Sequence, residues 1–104
     1  MQIQVNTDKN ISGPDTQQVV EDTLKRVLAR FSGSITRLEV HLSDENSAAK
    51  SAAGDKRCLL EARLEGRQPV SVTEQADNIE QAIQGAAQKM VRLLDSEQGK
   101  QGRR

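Results

Sequence analysis

The sequence predicts a two-layer α+β domain: a four-stranded mixed sheet in the order β-α-β-β-β-α, with two helices packed on one face of it. Three observations lead there. Four short segments alternate apolar and polar residues. Two longer segments place apolar residues at steps of three and four. The chain has 104 residues, room for one hydrophobic core. A single domain is expected over residues 1–96, followed by a flexible C-terminal tail over 97–104.

Gln2-Ile3-Gln4-Val5-Asn6 alternates and reads as a short, half-buried strand. Lys9 to Pro14 carries turn signals; Ser12 or Asp15 can cap the helix that follows, and Pro14 suits a first turn. From Asp15 to Phe31, Val19, Val20, Leu24, Val27, Leu28 and Phe31 form one helical stripe, closed by Ser32-Gly33-Ser34. Ile35 to Ser43 is a second strand, with Leu38, Val40 and Leu42 on one face and Arg37, Glu39 and His41 on the other. Asp44 to Asp55 is polar and rich in small residues, a mobile loop by its composition. Lys56 to Leu64 is a third strand, with Cys58, Leu60, Ala62 and Leu64 pointing inward. Glu65 to Gln68 makes a hairpin connection to a fourth strand, Pro69 to Glu74, with Val70 and Val72 inward. Asn78 caps the second helix, whose stripe is Ile79, Ala82, Ile83, Ala86, Met90, Leu93 and Leu94. If the first strand–helix–strand unit is parallel it crosses over right-handedly, and the remaining strands pair antiparallel. The far side of the sheet collects Gln4, Arg37, Glu39, His41, Arg57, Glu61, Arg63, Ser71 and Thr73, a polar set that fits water.

Composition narrows the function classes. Fifteen basic and fifteen acidic residues balance to a net charge of zero, which argues against a general electrostatic nucleic-acid binder but leaves room for a local basic patch. Phe31 is the one aromatic residue, which argues against modules that stack several bases, aromatic cages and aromatic-lined peptide grooves. A single cysteine excludes an internal disulfide and a cysteine-rich zinc site. No apolar run spans a bilayer, and Met1 to Thr7 lacks a signal-peptide pattern. The expectation is a soluble, cytoplasmic protein without membrane contact.

The candidates for chemistry are few. His41 stands on a polar strand face with no second histidine, which suits an exposed cross-strand partner better than a metal ligand. Cys58 falls among inward apolar residues, on the face opposite His41, and reads as a small buried hydrophobe. Asp44, Glu45 and Asn46 lack the spacing of a calcium loop. Glu61 and Glu65 suit neutralisation of Arg57, Arg63 and Arg67. There is no phosphate-cradling glycine loop and no nucleophile elbow. No catalytic residue, metal site, cofactor or small-molecule substrate is expected, and the chain is not expected to be an enzyme.

The helices carry the more informative charges. Lys25 and Arg26, with Arg30 alongside, lie on the outer face of the first helix; Glu21 and Asp22, four residues ahead of Lys25 and Arg26, predict intrahelical ion pairs. On the second helix Lys89 and Arg92 fall within about 60° of each other, on a flank shared with Gln81, Gly85, Gln88 and Ser96 and opposite Glu80 and Asp95. Two readings stay open: a solvated face, or a basic strip that meets phosphates. Gly85, unfavourable inside a helix by about 1 kcal/mol, suits either close packing or the approach of a partner's backbone.

The element order and the segment Asn78-Ile79-Glu80-Gln81-Ala82-Ile83-Gln84, followed by Lys89-Met90-Val91-Arg92, resemble the short form of the ribosome hibernation-promoting factor family, also called ribosome-associated inhibitors or the sigma-54 modulation protein family. That family typically reads Asp-x-Tyr-x-Ala-Ile-Asp and then a Lys-Leu-x-x-Arg-like stretch; Ala82, Ile83 and Lys89 match, and Arg92 corresponds to the Arg with one residue fewer between. Asn78 replaces the first Asp and keeps the cap, while Glu80 stands in place of Tyr and Gln84 in place of the second Asp. The resemblance covers about the first 95 residues. It implies binding to the small ribosomal subunit near the decoding region and silencing of translation under stress, without the dimer-forming second domain of long members. The rRNA-contacting residues would be Lys25, Arg26, Arg30, Lys89 and Arg92. The competing reading is a diverged member that has lost ribosome binding and meets a protein partner through the open sheet face and the 44–55 loop.

Overall fold

The computed structural model describes residues 1–8, 15–44 and 56–102, the side chains of 97–102 excepted. The elements are β1 (Gln2–Thr7), α1 (Thr16–Val27), β2 (Ile35–Asp44), β3 (Lys56–Leu64), β4 (Val70–Ala76) and α2 (Ile79–Gly102). They form one four-stranded sheet in the order β1-β2-β3-β4. β1 lies parallel to β2, and β2–β3 and β3–β4 are antiparallel. A parallel pair needs a crossover, and α1 supplies it. The predicted α+β architecture and its two helices on one face are what the chain adopts. Ser12, Pro14, the 45–55 part of the expected loop and the side chains of the expected tail lie outside the described residues.

The register explains the layering. Side chains alternate between faces with period two, so Ile3 and Val5 of β1 line up with Leu38 and Val40 of β2. Those in turn oppose Ala62 and Leu60 of β3, which oppose Val70 and Val72 of β4. This face meets the helices. Val20, Leu24 and Leu28 from the first helix and Ala82, Ile83, Ala86, Met90 and Leu94 from the second close the core, all of them buried. With so few large apolar residues the core relies on alanines, and Ala82, Ala86 and Ala87 are fully enclosed, letting α2 approach the sheet closely.

Several boundaries differ from the sequence expectation. The stripe from Asp15 to Phe31 is not one helix: α1 stops at Val27 and a 3-10 turn follows at Ala29–Phe31. The tighter turn, closed by Phe31 N–H donating to the Leu28 carbonyl at 3.0 Å, brings Phe31 into the core at 2% exposure. At the other end Asp15 occupies the N-cap position but its side chain makes no capping hydrogen bond. β4 runs two residues further than expected, to Ala76, because Gln75 and Ala76 still pair with Arg57 and Lys56. The β3–β4 turn needs Gly66: its φ of 73° is left-handed, and Arg67 N–H donates across the turn to the Leu64 carbonyl at 3.2 Å. Asn78 caps α2 as expected, accepting from Gln81 N–H at 2.9 Å.

Candidate nucleic-acid interface

The two helices run in the same direction. β4 is parallel to β2 through two antiparallel steps, and each helix returns antiparallel to the strand before it. The helix layer carries all five cations singled out from the sequence, with Lys89 on the flank of α2 that meets β4. Arg30 meets Asp95 across the helices. With a rise of about 1.5 Å per residue, that contact sets Arg26 level with the turn of α2 that holds Arg92.

The five cations are not equivalent. Lys25 and Arg26 are exposed, and the expected ion pairs to Glu21 and Asp22 do not form. Those carboxylates accept instead from Gln17 (3.0 Å) and Gln18 (2.9 Å), one turn earlier. Lys25 and Arg26 have no hydrogen-bonding or ionic partner among the described residues. Arg92 is the same, and lies near the middle of the solvent-facing side of α2.

Arg30 and Lys89 are each held. The Arg30 guanidinium lies over the Phe31 ring, 4.8 Å from its centroid, and pairs with the Asp95 carboxylate. Lys89 Nζ donates to the Thr73 carbonyl at 2.7 Å and lies 2.8 Å from Glu74 Oε1. It therefore fastens α2 to the exposed edge of β4. Glu74 pairs in register with Cys58 and so faces the helix layer. Its side chain crosses α2 over Gly85, where a Cβ would lie 2.7 Å from Glu74 Cγ and Oε2. Close packing is thus the role of Gly85, and the approaching group is a side chain of the same protein. Beside it, Glu80, Gln81, Gln84, Gly85 and Gln88 line a shallow groove of about 440 Å³.

Sequence reasoning missed Glu74 and Asp95 as partners, because they lie 15 and 65 positions from the cations they hold. One signal was available for Glu74. Strand alternation from Val70 and Val72 puts it on the helix side, where a carboxylate needs a cation.

The opposite sheet face is layered by charge. One row holds Arg37 and Arg63 and the next holds Glu39 and Glu61. Arg37 bonds Gln4 and lies 2.8 Å from Glu39. His41 Nε2 is 3.9 Å from Glu39 Oε1 and has Leu59 opposite. Glu61 has no hydrogen-bonding or ionic partner among the described residues, so the expected neutralisation of Arg57 and Arg63 is not seen. Cys58 is on the buried side, opposite Leu42. Burial, reinforced by the Glu74 carboxylate and partly offset by Arg57, pushes its thiol up to about 12, so it stays protonated and unreactive at neutral pH. Among the described residues no group of three His, Cys, Asp or Glu could hold a metal ion. No described helix is long and apolar enough to cross a membrane.

Comparison with known proteins places this geometry. The fold is similar to that of a ribosomal subunit interface protein from Coxiella burnetii, with a TM-score of 0.75 at 14% identity, covering 95% of this chain and 99% of that one. It is also similar to the N-terminal domain of Protein Y from Thermus thermophilus, with a TM-score of 0.66 at 24% identity, covering 86% of this chain and 91% of that one. No curated protein sequence matches the chain significantly. The profile of the family described as Sigma 54 modulation protein / S30EA ribosomal protein matches residues 3–101. A match of that extent, on the strand and helix order described above, makes this chain a member of the Sigma 54 modulation protein / S30EA ribosomal protein family.

Proposed function

We propose that this protein binds the small ribosomal subunit in the cytoplasm through rRNA phosphates and silences translation under stress. The observation that carries the reading is the outer helix face of a family member: Lys25, Arg26 and Arg92 are exposed there without a partner among the described residues. Cations on two neighbouring helices read backbone shape and spacing rather than base sequence. The fold neighbour that is a ribosomal subunit interface protein points the same way. On the far sheet face Arg37 and His41 already have Glu39 for a neighbour, and the cations there without an ion pair among the described residues, Arg57 and Arg63, share their strand face with the Glu61 carboxylate. No step of this function needs a catalytic group or cofactor.

The test is cell-free translation. The wild-type protein is expected to inhibit it in proportion to subunit occupancy. The triple variant Lys25→Glu, Arg26→Glu, Arg92→Glu, checked for folding by circular dichroism, is expected to lose that inhibition. A folded triple variant that inhibits as well as the wild type refutes this surface.

A further inference from the structure

The free protein does not present its whole cationic face. Of the five cations there, Arg30 and Lys89 each have one carboxylate, Asp95 and Glu74, which the fold delivers from a different element. The arrangement is not incidental to a crowded surface. Glu74 needs a glycine at 85 to reach Lys89, and Glu21 and Asp22, the acids nearest Lys25 and Arg26 in sequence, are turned to glutamines instead.

We propose that Glu74 and Asp95 occupy Lys89 and Arg30 in place of phosphate and so limit the polyanion-binding surface to three cations. This rests on the ribosome reading for its biological partner but not for its chemistry. A phosphate that took Lys89 from Glu74 would leave a bare carboxylate beside it, repelling the polyanion that had just docked. Removing the carboxylate charge abolishes that competition without moving the cation. Lys89 keeps its bond to the Thr73 carbonyl, and Arg30 keeps its stack on Phe31. The result is docking that is weak by construction, with fewer phosphate contacts than the cations present could make, which suits a factor that must leave its partner when conditions change.

The test uses the full chain and two probes, polyuridylate as a generic polyanion and purified small ribosomal subunits, each titrated across a salt series. The variants are Glu74→Gln, Asp95→Asn and the two combined. Glu61→Gln is the control, the same charge change on the opposite sheet face. Each helix-layer variant is expected to bind polyuridylate more tightly by about two- to five-fold, the range of one exposed ion pair. Each is also expected to steepen the slope of log affinity against log salt by about 0.7–0.9, one phosphate contact. Glu61→Gln is expected to change neither. Equal gains from Glu61→Gln, or variants that bind polyuridylate like the wild type or more weakly, overturn the proposal. Wild-type failure on the ribosomal subunit, with the polyuridylate gains intact, overturns the ribosome reading and leaves the carboxylate restraint standing.

Discussion

Replacing Gly85 by alanine sets two effects of similar size against each other. Alanine is better than glycine inside a helix by about 1 kcal/mol. Its Cβ, however, would lie 2.7 Å from Glu74 Cγ and Oε2 and 2.8 Å from Cδ, closer than carbon and oxygen can approach. The obstacle is a flexible side chain, so it swings aside and gives up its ion pair with Lys89. Both side chains are partly exposed, at 28% and 46%, which limits that loss to about 1 kcal/mol at most. Gly85→Ala alone is therefore expected within about 0.5 kcal/mol of the wild type. In a Glu74→Ala background the three atoms nearest the new methyl group are gone, and the same substitution should stabilise by about 1 kcal/mol. For a domain of this size that raises Tm by roughly 4–8 °C. Urea unfolding followed by circular dichroism, on the four proteins of the cycle, reads the coupling directly. Equal stabilisation in both backgrounds, with no coupling, would refute the crossing of α2 by Glu74.

Two further outcomes follow from the core and the caps. Cys58 titrates near 12 in the folded protein against an ordinary 9.0, so the folded state holds its proton longer. Its contribution is complete below pH 9 and is lost as pH rises from 9 toward 12, at about 1.4 kcal/mol per pH unit. Urea unfolding between pH 8 and 11 should show that slope shallower by this amount in Cys58→Ala than in the wild type; parallel slopes would contradict it. Asn78→Ala removes the acceptor for Gln81 N–H and should cost about 1 kcal/mol of stability. Asn78→Asp keeps the acceptor and should stay near the wild type in the same unfolding assay, whereas equal losses would mean the cap contributes through something other than this bond.

The elements were legible because each carries its own period. Leu38, Val40 and Leu42 alternate, and they are buried one side chain in two. Ala82, Ile83, Ala86, Met90 and Leu94 recur at helical steps and all face the core. The end of α1 was not legible, since Leu24, Leu28 and Phe31 satisfy helical spacing whether the last turn is α or 3-10. What decides is the position of the core that Phe31 must reach. The candidate site was legible as a set of cations and not as a set of pairs. Sequence spacing exposes only contacts one turn away, and it proposed Glu21–Lys25 and Asp22–Arg26. The pairs that form, Arg30–Asp95 and Lys89–Glu74, join different elements and depend on how α2 lies against α1 and β4.

The most direct test of the central claim is co-sedimentation of the wild-type protein with purified small ribosomal subunits at salt concentrations from about 50 to 200 mM. Three unpaired cations predict a slope of log affinity against log salt of about −2.1 to −2.7, a loss of roughly 20- to 40-fold across that range. Absence of binding at the lowest salt, or binding that salt does not weaken, would contradict the assignment of this helix face to rRNA phosphates.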